Sequence, residues 1–93
     1  MLKDKNDKRT FCDVYVKVKS DNDIFKVFHE AARMDGLVIG MPVSKKFADI
    51  FLRFADKKVK RLHDRVEKVK EIEGVDYIST LPYKGTANRE LRD

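Results

Sequence analysis

Twice along this chain the spacing of apolar residues changes from two to three or four and back to two, and few architectures accommodate that order. Between Phe11 and Lys19 the pattern alternates. Cys12, Val14, Val16 and Val18 fall on one side, and Phe11, Asp13, Tyr15 and Lys17 on the other, which is the period of a half-buried strand. Ser20 and Asp21 offer side-chain oxygens for a helix start, and Asn22 and Asp23 keep its first turn polar. Ile24, Val27, Phe28, Ala31 and Ala32 then follow at helical spacing, and Gly36 is placed to end the helix in a left-handed conformation. Leu37–Val43 is a short apolar run that predicts a second strand. Pro42 has no N–H, so that strand belongs at an edge or stops there.

The second half repeats the order. Ser44, Lys45 and Lys46 read as a hairpin connection. Ala48–Ala55 alternates again, with Ala48, Ile50, Leu52 and Phe54 inward and Asp49, Phe51 and Arg53 outward. Asp56 is a candidate N-cap for a second helix, whose stripe is Val59, Leu62, Val66, Val69 and Ile72. Gly74 sits where a helix C′ residue belongs. Val75–Tyr83 predicts the last strand, ending near Pro82. Two split strand–helix–strand units of this kind make an α+β, ferredoxin-like βαββαβ fold: an antiparallel four-stranded sheet with both helices on one face. Residues 11–83 form that single domain. Residues 1–10 read as a flexible charged arm and residues 84–93 as a polar C-terminal tail.

Composition narrows the use of such a fold. Ninety-three residues suit one domain, and 40% of them are charged, well above the usual quarter, so a heavily charged shell of the sort common in heat-adapted proteins surrounds a modest core. The net charge of +5 permits contact with an anionic partner, although the acids are interspersed with the bases. A single cysteine excludes an internal disulfide framework. No apolar run approaches a membrane span, and the charged N-terminus lacks the apolar stretch of a secretory signal. The expectation is a cytoplasmic protein with no membrane contact.

If both helices cover one face of the sheet, the other face is solvated or used. The first and third strands are central in this topology, so Phe11, Tyr15 and Phe51 lie on that open face among Asp13, Lys17, Asp49 and Arg53. The last strand has two possible phases. One adds Tyr77 and Tyr83 to the open face, and the other exposes Asp76, Ile78 and Thr80. Grouped exposed aromatics mark binding surfaces. Packing against a second copy through Phe11, Tyr15 and Phe51 is the favoured use, ahead of a merely solvated face, with base stacking on RNA third.

The stretch Val66–Leu81, VEKVKEIEGVDYISTL, resembles the end of the effector-sensing (RAM) domain of Lrp/AsnC-family transcription regulators. Such domains close with an amphipathic helix, a Gly-Val pair and a Thr further on, matched here by Gly74, Val75 and Thr80. DIFLRF from Asp49 to Phe54 also resembles the family's third strand, and the likeness in element order extends over most of residues 11–83. The resemblance implies a non-enzymatic module that dimerises or assembles further through its open sheet face. It further implies an amino-acid effector bound near the loop before the third strand, at Lys46, Phe47, Ala48, Asp49 and Thr80. The family's loop reads Gly, any residue, aromatic, Asp; here Lys46 stands in place of the Gly, whose absence bears on close backbone approach to a ligand. The usual helix-turn-helix has no room before Phe11, so the expectation is a stand-alone sensing domain that modulates transcription by assembling with itself or with a full-length regulator.

The alternative is a basic nucleic-acid-binding domain. Lys45, Phe47, Ala48 and Ile50 partly match the consensus of an RNA-recognition motif, but Lys46 replaces its Gly and Asp49 occupies a stacking position, where an acid repels phosphate. Lys57, Lys58, Lys60 and Arg61 form a second candidate docking surface at the start of the second helix. The rest of that helix interleaves Lys and Arg with Asp64, Glu67, Glu71 and Glu73, a charge-paired solvated face. His29 and His63 lie on different helices with no ligand-spaced partner, so no metal site is expected. Cys12 belongs to the inward series of its strand and reads as a core residue. No phosphate loop or nucleophile motif is present, and no cofactor is implied.

Overall fold

The two period changes become two β–α–β halves in the computed structural model, which describes residues 9–82. The elements are β1 (Thr10–Val18), a 3-10 turn (Asp21–Asp23), α1 (Ile24–Ala32), β2 (Leu37–Lys45), β3 (Ala48–Asp56), α2 (Val59–Lys70) and β4 (Val75–Pro82). The strands form one sheet in the order β2-β3-β1-β4, with every neighbouring pair antiparallel. This is the ferredoxin-like α+β architecture, with β1 and β3 central. The expected arm and tail lie almost wholly outside the described residues, as does Tyr83.

The inward series of the two central strands makes the core. Val14, Val16, Ile50, Leu52 and Phe54 are fully buried with Val27, Ala31 and Val69 from the helices. Ile24, Phe28, Val66 and Ile72 pack around them. Cys12 lies in the same layer and is buried; burial, followed by the neighbouring Asp13 charge, raises its thiol pKa above the ordinary value. The core stripe of α2 begins at Leu62 rather than Val59, which is 66% exposed.

Several boundaries differ from the sequence reading for identifiable reasons. Pro42 does not stop β2, because β2 is an edge strand and its outer side needs no N–H; Pro42 still pairs with Ile50 across the ladder. The hairpin turn is Lys46–Phe47, two residues later than expected, and Lys45 pairs with Ala48. Asp56 is not the N-cap of α2. It ends β3 opposite Thr10, while its Oδ1 accepts the Lys58 N–H at 2.9 Å, and α2 begins after Lys58 with no side-chain cap.

Gly36 and Gly74 both have positive φ, +86° and +103°, yet neither directly follows its helix, since α1 and α2 end at Ala32 and Lys70. Gly74 serves a later turn. Its carbonyl accepts the Lys19 N–H at 2.9 Å. A Cβ there would come within 3.1 Å of Asp23 and Val27.

Candidate functional site

With the helices on one face, the open face of the sheet is assembled from the outward series of all four strands. Register fixes its members. Asp13 stands opposite Arg53, and Tyr15 opposite Phe51, between the central strands. On the outer ladders Met41 pairs with Phe51, while Leu81, Ser79 and Tyr77 pair with Asp13, Tyr15 and Lys17. Of the two phases open to the last strand, β4 adopts the one that turns Tyr77 to this face. Thr80 instead pairs with Val14 and lies on the helix side.

The aromatic residues cluster. The Tyr15 ring lies 5.1 Å from Phe51 and 5.4 Å from Phe47, centroid to centroid, within the range in which aromatic pairs attract. Phe47 reaches this group because the hairpin turn folds it back over β1 and β3. In the sequence Phe47 belongs to the ligand loop and to the partial RNA-recognition-motif match; its spacing of four from Phe51 is the signal that puts it with the outward series. Met41, Phe47, Tyr77 and Leu81 remain roughly half exposed around the cluster.

Two acid–base pairs sit among these rings. Arg53 donates to Asp13 through both Nε (2.6 Å to Oδ1) and Nη2 (3.0 Å to Oδ2). That bidentate geometry lets Asp13 be 3% exposed without an unsatisfied carboxylate. The Arg53 guanidinium carbon lies 5.8 Å from the Phe11 ring centre and 5.9 Å from that of Phe51, so the cation sits between two π-faces. At the other end of the face Asp49 Oδ2 accepts the Val18 N–H at 3.1 Å and lies 3.6 Å from Lys17 Nζ. The backbone ladder between β1 and β3 has ended at Val16, and the Asp49 carboxylate takes over the next N–H. The alternation puts both acids and both bases in the outward series, and the strand register decides which of them meet.

The proposed ligand residues separate. Lys46 and Phe47 form the turn, Ala48 is fully buried, and Asp49 is engaged as above. Thr80 lies two strands away from Asp49, on the opposite side of the sheet. One chain therefore does not bring Thr80 together with residues 46–49.

The alternative basic surface lies at the far end of β3 from that turn. Asp56 is drawn into it, 3.3 Å from Arg65 and 3.5 Å from Arg61. Its carboxyl pKa is lowered, chiefly by the Lys58 N–H and further by the two arginines. Lys57, Lys58 and Lys60 are exposed and make no ion pair among the described residues. No group of three or more potential metal ligands occurs among the described residues. No helix there is long and apolar enough to cross a membrane.

No protein-family model matches this sequence, and no curated protein matches it significantly. Solved structures do match. A protein from Thermus thermophilus, TTHA0845, superposes with a TM-score of 0.72 at 20% identity, over 80% of this chain and 91% of its own. AsnC from E. coli gives 0.70 at 17% identity, over 81% of this chain and 50% of AsnC. A transcriptional regulator from Neisseria meningitidis, solved as a complex with L-Met, gives 0.64 at 10% identity, over 80% of this chain and 49% of that one. The chain thus spans about half the length of these two regulators. At such identities the likeness is one of fold. The resemblance to Lrp/AsnC regulators carried by the sequence is matched at that level.

Proposed function

We propose that this chain is a non-enzymatic regulatory module of the Lrp/AsnC type, one that assembles with a second copy through its open sheet face and responds to a small effector. The observation that carries the reading is the composition of that face. Tyr15, Phe47 and Phe51 form an aromatic cluster, and the four charges nearest it pair as Asp13–Arg53 and Lys17–Asp49, with the Arg9 guanidinium over Phe11 at the edge. A face that is largely apolar with its central charges paired suits a like surface. It does not suit a polyanion, which needs uncompensated cations. Stacking of RNA on Tyr15 and Phe51 is disfavoured for that reason.

An amino acid is the effector class this reading favours, supported by the shared fold with a regulator solved with L-Met. The contact region would be the Lys46–Phe47 turn with Ala48 and Asp49, and Thr80 would join it only from another subunit. A full-length regulator of the same fold is a further candidate partner. Titrating each of the twenty amino acids into isotopically labelled protein tests the effector. The expected outcome is saturable amide shifts at residues 46–49 for a small subset that includes an apolar amino acid. Absence of shifts with every amino acid at about 10 mM, a concentration that would reveal even millimolar affinity, would remove the effector from the account.

A further inference from the structure

The positive excess of residues 9–82 is not spread evenly along the chain. Residues 9–82 carry fifteen Lys and Arg against twelve Asp and Glu. Four of those cations, Lys57, Lys58, Lys60 and Arg61, fall within five consecutive positions that contain no acid. Without them the balance is eleven cations against twelve acids, slightly negative. The whole positive excess of the described residues thus resides in one short segment joining β3 to α2.

This segment contributes nothing to the core. Lys57, Lys58, Val59, Lys60 and Arg61 are all exposed. The nearest acid, Asp56, is turned toward the Lys58 N–H, Arg61 and Arg65, and its side chain is only 10% exposed. It anchors the segment and leaves the three lysines pointing their charge at solvent. Cations at the start of a helix also oppose its dipole, so the fold gains no stability from placing them there. Of the seven lysines elsewhere among the described residues, Lys17, Lys26 and Lys70 pair with Asp49, Glu73 and Glu67; the others, Lys19, Lys45, Lys46 and Lys68, are not grouped as three in four positions.

We propose that Lys57, Lys58, Lys60 and Arg61 form a docking surface for the phosphate backbone of duplex DNA, separate from the open sheet face. Three closely spaced lysines with no ion pair among the described residues, beside the Asp56-anchored Arg61, match a polymer of regularly spaced negative charge, and release of its counterions drives the association. Val59 is the segment's single exposed apolar residue, and a lone Val offers no groove for the apolar anchors by which an acidic peptide would be held. Arg61 is held by Asp56, and the remaining cations are flexible lysines that suit phosphate oxygens, so binding is expected to depend little on base sequence. The surface lies at the opposite end of β3 from the Lys46–Phe47 turn, so an effector at that turn and DNA at this segment do not compete for space.

Fluorescence anisotropy of the full chain with a labelled duplex of about twenty base pairs tests this. Three to four phosphate contacts predict that raising salt from 50 to 200 mM weakens binding by roughly 40- to 150-fold. The triple variant Lys57→Gln, Lys58→Gln, Lys60→Gln keeps Arg61 and its anchor to Asp56. It is expected to lose most of the affinity at low salt and most of the salt dependence. A charge-matched control, Lys19→Gln, Lys45→Gln, Lys68→Gln, is expected to bind within about twofold of the natural chain, since these positions lie outside the contacting segment. No binding at 50 mM salt, or equal loss in both triple variants, would overturn the proposal. So would displacement of the duplex by polyglutamate at equal charge concentration, which would assign the surface to acidic protein. Light scattering on the same variants separates this result from the assembly reading, because neither triple touches the open face.

Discussion

Asp49 shows how one side chain can look like a binding residue in the sequence and hold a strand end in the structure. Its carboxylate accepts the Val18 N–H at the point where β1 leaves the β3 ladder, and it neutralises Lys17. Asp49→Ala removes a charge-assisted bond to a backbone donor and is expected to cost about 2 kcal/mol. Asp49→Asn keeps an acceptor oxygen and is expected to cost less than about 1 kcal/mol. Urea unfolding of the two variants distinguishes them, and equal losses would contradict the assigned role. Cys12 gives a second residue-level expectation. A buried thiol with a raised pKa reacts only when the fold opens. A thiol reagent should therefore label it at a rate set by unfolding, rising sharply with urea. Rapid labelling of the native protein would show that the strand is not closed as described.

Among the elements, the joint between β3 and α2 depends on one ionised group. The pKa of Asp56 is lowered from its ordinary 3.8 in the folded protein. A depressed carboxylate contributes stability that is fully present above its unfolded pKa and is lost as the pH falls through the folded value. The natural chain should therefore lose more stability than Asp56→Asn on going from about pH 5 to pH 2, with a constant difference above that range. Parallel acid limbs would contradict the role. Gly74→Ala should destabilise by about 1–2 kcal/mol, because φ of +103° strains any side chain and the added Cβ would crowd Asp23 and Val27 at 3.1 Å.

These joints also mark where the sequence stopped being legible. The element order, the inward series of β1 and β3 and the core face of α2 from Leu62 onward follow from periodicity, which records burial directly. The ends of elements do not. Asp56 has the chemistry of a helix cap, and only its pairing with Thr10 makes it the last residue of a strand. Periodicity leaves the phase of β4 open because Tyr77 and Ile78 both suit an inward position, and register with β1 fixes it. Asp13 and Arg53 likewise stand forty positions apart, and only the ladder brings them into a bidentate pair.

For the whole molecule, the open face and the basic segment divide the surface into two kinds of chemistry. The first is aromatic with its central charges paired, and the second is cationic, with three lysines that make no ion pair among the described residues. Assembly through the first is the central claim. Multi-angle light scattering on the natural chain at micromolar concentration, beside Phe51→Lys, tests it most directly. The account predicts a mass of twice the 10.9 kDa chain, or a higher even multiple. It also predicts that Phe51→Lys, which buries a cation at the centre of the contact, weakens assembly by at least about tenfold while the protein stays folded. A mass of 10.9 kDa at every concentration, or an assembly indifferent to Phe51→Lys, would contradict it.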